Sequence, residues 1–249
     1  MEKKISVVLL LCLLGTVNVF GQDAKAIVKR SYDLMRGASS YNEATMSIVR
    51  PKYTRVLKFK SWAKGTDYSL VYVLSPAKDK GQVSLKRESE MWNWMPSIRR
   101  MIKIPPSMMN QSWMGSDLTN DDIVKESSIV DDYDHKVLGE VAFEGESCYR
   151  IELIPHEDAA VVWGKIISLI SKEHGYTLQN KYYDEDDELV NTETMSKVKK
   201  VGDRTIPTFY EVVPADKPGH KTTMSMDVIR FGVKVQDSFF SIQNAKRVR

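Results

Sequence analysis

The chain has 249 residues, 42% hydrophobic and 28% charged, a globular composition that excludes a disordered or fibrous protein. Its 36 basic and 33 acidic residues nearly balance, so bulk charge favours neither nucleic acid nor a strongly anionic surface as a partner. This length fits one large β-rich domain or two small ones.

The chain opens MEKKISVVLLLCLLGTVNVFGQ. Lys3 and Lys4 precede an unbroken apolar run from Ile5 to Leu14, and small residues follow near Gly21. The pattern predicts a secretory signal peptide over residues 1–21, since the run is short for a membrane span. Leu11, not a small residue, precedes Cys12, which argues against lipid attachment. The chain is therefore expected to be exported, without a lipid anchor. Removing Glu2, Lys3 and Lys4 leaves 34 basic against 32 acidic residues. Cys148 then remains alone, so no internal disulfide can form and stability must come from a core.

Residues 22–249 read as a single domain. DAKAIVKRSYDLMRG places Ile27, Ser31, Leu34 and Met35 at helical spacing, and Gly37 is a helix stop. Strand patterns follow in quick succession. Leu57, Phe59 and Ser61 alternate with Val56, Lys58 and Lys60; Tyr149, Ile151 and Leu153 alternate with Arg150 and Glu152. Short turns such as Lys80-Gly81, Glu144-Gly145 and Gly202-Asp203 separate them. Short connections favour antiparallel neighbours, because a parallel crossover needs a dozen or more residues. The fold class expected is mainly β with α: one long antiparallel meander preceded by a helix.

One segment interrupts the meander. MWNWMPSIRRMIKIPPSMMNQSWMGSDLTNDDIV, Met91 to Val124, holds six of the twelve methionines and three of the five tryptophans. Met91 and Met95 fall on one strand face and Trp92 and Trp94 on the other, so both faces need cover. Pro105-Pro106 ends the strand pattern. Ser107 is positioned to cap a short helix, MMNQSWM, stopped by Gly115. Thr119-Asn120-Asp121-Asp122 reads as a capping box that opens a second helix at Asn120. Two short helices set into a sheet protein form a natural lid. The Met/Trp set reads as packed core or, second, as an adaptable apolar cavity, a use for which flexible, polarizable methionine suits. Arg99, Arg100 and Lys103 read as a solvated strand face or as contacts to anionic headgroups or a partner.

No G-x-S-x-G, H-E-x-x-H, P-loop or G-x-G-x-x-G motif is present, and the four histidines are scattered. The acidic run DEDDE at 184–188 lacks the spacing of a calcium loop and reads as a solvated hairpin tip. Neither enzyme activity nor a metal or cofactor is expected.

Met91 to Val124 also resembles the diagnostic segment of the bacterial outer-membrane lipoprotein-sorting family, the LolA/LolB-like superfamily, and most closely its larger, poorly characterised branch. The shared pattern is a Trp-rich strand, a proline, a basic strand, then Trp113-Met114-Gly115-Ser116-Asp117-Leu118-Thr119-Asn120-Asp121-Asp122. Tyr182-Tyr183-Asp184, Gly202 to Pro207 and Asp237 to Ser241 support it, so the likeness spans the mature chain. The resemblance implies a strongly curved, unclosed half barrel with helices over its concave face and an apolar cavity for acyl chains. It implies a periplasmic carrier of lipoproteins or lipids, served by an inner-membrane exporter and an outer-membrane acceptor. The expected cavity wall is Trp62, Met91, Trp92, Trp94, Met101 and Ile104. The expected lid is Met108, Met109, Trp113 and Met114, with Gly115 and Asp117 setting its geometry. No position is matched to the lid-locking arginine of the dedicated lipoprotein carrier. The second reading is a periplasmic accessory of an envelope exporter or assembly machine, with the basic strand as docking surface.

Overall fold

The computed structural model describes residues 23–125, 128–159 and 161–249. The expected signal peptide lies outside the described residues. Helix α1 spans Ala24–Arg36, capped by the Asp23 side chain at its start and ended by Gly37 at φ 69°. Strands follow: β1 Ser39–Arg50, β2 Tyr53–Lys64, β3 Tyr68–Ser75, β4 Val83–Arg87, β5 Glu90–Met95 and β6 Arg100–Lys103. After the interruption come β7 Tyr133–Phe143, β8 Glu146–Pro155, β9 Lys165–Ser171, β10 Thr177–Tyr183, β11 Leu189–Val201, β12 Arg204–Pro214 and β13 Lys221–Phe231.

All thirteen strands form one sheet in the order β6-β5-β4-β3-β2-β1-β13-β12-β11-β10-β9-β8-β7. Consecutive strands pair antiparallel, and β1 pairs with β13 to join the two halves. The short β6 and the long β7 are the open edges, so the sheet is not closed into a barrel.

The curvature follows from what the strands enclose. Ten consecutive strands, β3 through β7 in sheet order, contribute side chains to one cavity. Laid flat, ten strands would span about 43 Å at the usual strand spacing. They reach one space only because the sheet curls. Its inner face is apolar around Met46, Ile48, Leu57, Phe59 and Val73 in one half, and around Ile151, Leu153, Ile166 and Ile170 in the other.

Helix α1 lies across the concave side with Val28 and Ser31 buried. The Ser31 and Thr177 hydroxyls are 2.8 Å apart, and Arg204 donates to the Asp33 and Leu34 carbonyls at the helix C-terminus. That guanidinium bonds the Leu34 carbonyl in the last turn and adds to the Gly37 N–H on the Asp33 carbonyl, placing positive charge at the helix C-terminus.

The outer face is covered at one end by the C-terminal segment. A 3₁₀ turn, Asp237–Phe240, and helix α4, Ile242–Ala245, pack against Leu70, Tyr72, Val83 and Leu85. Phe240 is fully buried and stacks on Tyr68 at 5.5 Å between ring centroids.

The interruption differs from expectation in its first half. Ser107 caps no helix: Pro106–Met108 and Trp113–Gly115 are separate 3₁₀ turns, and Met114 has φ 54°. The physical reason is where the backbone donors go. Trp113 N–H bonds the Leu118 carbonyl, Asn120 N–H that of Gln111, and Asp121 N–H that of Met109. The segment therefore folds back on itself and does not bond i to i−4. Its second half matches expectation. Helix α2, Asn120–Lys125, opens with the Thr119/Asp122 capping box, Asp122 N–H to Thr119 Oγ1 at 3.1 Å and Thr119 N–H to Asp122 Oδ2 at 2.8 Å. A one-turn helix α3, Ser128–Asp131, follows.

A candidate lipid-binding cavity

The space between the curled sheet, α1 and the interrupting segment is a cavity of about 330 Å³. That is near the small end of the range for ligand sites, about 300–1,000 Å³. Val28, Tyr32 and Met35 from α1 close one side; Phe59, Val71, Ile170, Ile206, Val212, Met224 and Met226 line the sheet side. Trp113, Leu118, Asp122 and Ile123 from the interrupting segment, with Ile129 of α3, close the other.

The interrupting segment is seated by charge and by packing. Trp113 is 2% exposed, meets Phe59 edge-on at 6.0 Å and donates its indole N–H to Ser84 Oγ at 3.1 Å. Arg50, at the end of β1, donates to Asp117 Oδ2 at 2.9 Å and to the Gly115 carbonyl at 2.9 Å. Thr222 donates to the same carboxylate at 2.7 Å and accepts from Asp117 N–H at 2.9 Å. Arg55 of β2 donates to the Met114 carbonyl at 2.8 Å and to Asp79 at 2.7 Å. The Arg50 and Asp117 side chains are 11% and 6% exposed, so this ion pair is screened little by water. Gly115 sits at φ 77°, a conformation that an L side chain adopts only at a cost.

The wall is not uniformly apolar. On β9 to β11, Ser168 donates to Asn180 Oδ1 at 2.7 Å, and Asn180 and Tyr182 both donate to Glu193 Oε2. Burial holds the Tyr182 hydroxyl well above the ordinary tyrosine value, so it remains a donor. On α2, Asp122 accepts from the Trp163 indole at 2.9 Å. Burial pushes the Asp122 carboxyl above the ordinary aspartate value, against the lowering effect of its bonds from Thr119 and Trp163.

The expected site residues divide. Trp62, Trp92, Trp94 and Met101 do not line the cavity. They face outward and pack with Phe239, Phe240 and Val248 of the C-terminal segment. Alternation separated the two faces of β5 correctly but carries no sign for which one is concave. Both faces are covered, as their apolarity requires: Met91 lies under Trp113 on the inner side, and the C-terminal segment covers the outer. Met91 and Ile104 belong to the inner cluster beneath the interrupting segment and not to the cavity wall. Of the expected lid, Met109, Trp113 and Met114 pack on that cluster, while Met108 is 36% exposed. Gly115 and Asp117 hold the anchoring contacts. Arg99 and Arg100 are exposed at the β5–β6 edge, where Lys103 pairs with Glu90.

Sequence reading missed most of the wall, including α1 and β9 to β13. One signal was available: Met224 and Met226 alternate in TTMSMDV, a second methionine pair on one strand face. Arg50 and Arg55 gave no signal, because only the fold brings them to the loop.

Among the described residues no helix is long and apolar enough to cross a membrane. A crystal structure of a DUF1329 family protein from Desulfovibrio piger is similar at 27% identity and TM-score 0.82, over 88% of this chain and 96% of that one. A putative outer membrane lipoprotein-sorting protein domain from Vibrio parahaemolyticus shares the fold at 18% identity and TM-score 0.80, covering 90% and 98%. A LolA superfamily protein from Nitrosomonas europaea does so at 19% and 0.76, covering 88% and 98%. No curated protein matches the sequence. A family model described as an uncharacterized-protein-like family matches residues 65–247. The chain belongs to that family of uncharacterized proteins, and it shares its fold with the lipoprotein-sorting domain and the LolA superfamily protein above.

Proposed function

We propose that the protein is a periplasmic carrier that binds acyl chains of lipids or lipoproteins in this cavity and moves them toward the outer membrane. The observation that supports it most is an apolar cavity closed on one side by Trp113, Leu118, Asp122 and Ile123 of the interrupting segment and Ile129 of α3. An acyl chain gains about 0.8 kcal/mol for each CH₂ removed from water, so carriage needs a dry cavity and not a catalytic group. Methionines at 35, 195, 224 and 226 give the wall the plasticity that variable chains need. In this reading Arg50 and Asp117 hold the lid closed, and release of that pair admits cargo. Trp113 and Met109 move with the lid, whereas Met91 and Ile104 form the seat exposed when it lifts.

Arg99 and Arg100 stand beside Ile98, 56% exposed, and Ile102, 42% exposed, on the short edge strand. This basic and apolar edge suits contact with lipid headgroups or with a membrane-bound exporter or acceptor.

The test is to purify the mature protein without detergent and examine it by organic extraction and native mass spectrometry. Co-purifying acyl species that disappear in Ser61→Phe, which projects a ring into the cavity, support carriage. A lipid-free protein that takes up no fatty chain in vitro refutes it.

A further inference from the structure

The cavity has a polar neighbour. A more open groove of about 520 Å³ lies against it, and Asp117, Leu118, Trp163 and Asn191 line both. These residues are the partition between an apolar interior and a wet exterior, the arrangement an amphiphile's two ends require.

The groove is acidic. Asp184, Glu185, Asp186 and Asp216 line it against a single cation, Lys217, since Asp117 is already matched by Arg50. Nearby Lys165 is engaged by Asp187 and lies over the Tyr183 ring. The acidic tip is held in place: Asp184 Oδ1 accepts from the Asp186 and Glu188 N–H groups. It also abuts the partition, because Gly164 N–H bonds the Tyr183 carbonyl at 3.0 Å.

A second observation concerns the partition itself. Asn191 is 7% exposed and lines both spaces, yet its side-chain amide makes no hydrogen bond among the described residues. Its amide atoms are not shut off from these spaces, so they remain open to bond a ligand's polar group. Two residues along the same strand face, Glu193 presents a half-buried carboxylate to the cavity. The cation among the cavity-lining residues, Arg36, lies at the C-terminus of α1 beside the start of β1, the end remote from Arg50 and Asp117.

We infer that the cavity and groove together select an amphiphile with a cationic, ammonium-bearing polar end over one ending in a phosphate. Its ammonium lies where the acidic groove meets the partition, donating to the Asn191 carbonyl, and its chain runs inward toward Met195 and Phe231. This rests on the carrier reading above. An ammonium gains Coulomb energy from the four carboxylates and supplies the Asn191 carbonyl with a donor; a phosphate meets the same field with the opposite sign.

The experiment compares dodecylamine with dodecyl phosphate on the full mature protein, by calorimetry below their micelle concentrations. At low ionic strength the amine is expected to bind at least roughly tenfold tighter, and the gap to narrow as salt screens the groove. Glu185→Gln with Asp216→Asn, both exposed, should shrink the preference without loss of fold; Asn191→Leu should weaken amine binding. Equal affinities, or a preference for the phosphate, overturn the selectivity and leave the carrier intact. Failure of both chains to bind at any salt concentration overturns the carrier reading and this inference with it.

Discussion

Removal of the Asp117 carboxylate tests how the lid is held. Asp117→Ala leaves Arg50 buried at 11% side-chain exposure without its counter-charge and takes an acceptor from Thr222. Breaking a buried pair from one side costs about 3–5 kcal/mol. Arg50 keeps bonds to the carbonyls of Val49, Gly115 and Lys221, so the lower end, about 3 kcal/mol, is expected. Arg50→Ala strands the carboxylate instead and should cost a similar amount. The two residues share one network, so their effects should not add: a coupling of about 2 kcal/mol puts the double variant near 4 kcal/mol. Urea unfolding of the four proteins measures this, and amide exchange at 113–121 shows whether the loss is confined to the lid. Additivity within about 0.5 kcal/mol would show that the pair does not anchor the segment.

Phe240→Ala should cost about 3–5 kcal/mol, as for other fully buried aromatics, and should expose Tyr68 to water while leaving any ligand uptake in the cavity unchanged. Gly164→Ala drives a Cβ into the Asp184 carbonyl and should cost about 1–3 kcal/mol, read as a lower urea midpoint. Burial lowers the His135 imidazole below its ordinary value of 6.5, and the ring lies 2.7 Å from the Ile129 carbonyl of α3. Between the lowered value and 6.5 the unfolded chain binds more protons, so stability should fall as pH drops through that window. His135→Gln should lack that part of the slope in pH-dependent urea unfolding.

Local rules read well where the structure obeys local physics. The start and stop of α1 at Asp23 and Gly37, and the Thr119 to Asp122 box of α2, depend on donors and acceptors within three or four residues. The Ser107 helix failed because that segment's backbone groups bond across a loop: Trp113 N–H donates to the Leu118 carbonyl, and the Met109 and Gln111 carbonyls accept from Asp121 and Asn120.

The sequence alone determined that this is a long antiparallel meander after one helix, interrupted once by a Met/Trp-rich segment. Period-two alternation and short turns suffice for that, because they act between neighbours. Only the tertiary structure decided which face became the inside. Trp62, Trp92 and Trp94 went under the C-terminal segment, while Phe59, Met224 and Met226 lined the cavity. Alternation is blind to the direction in which a sheet curls, and Arg50 meets Asp117, 67 residues on, only once the strands have closed around them.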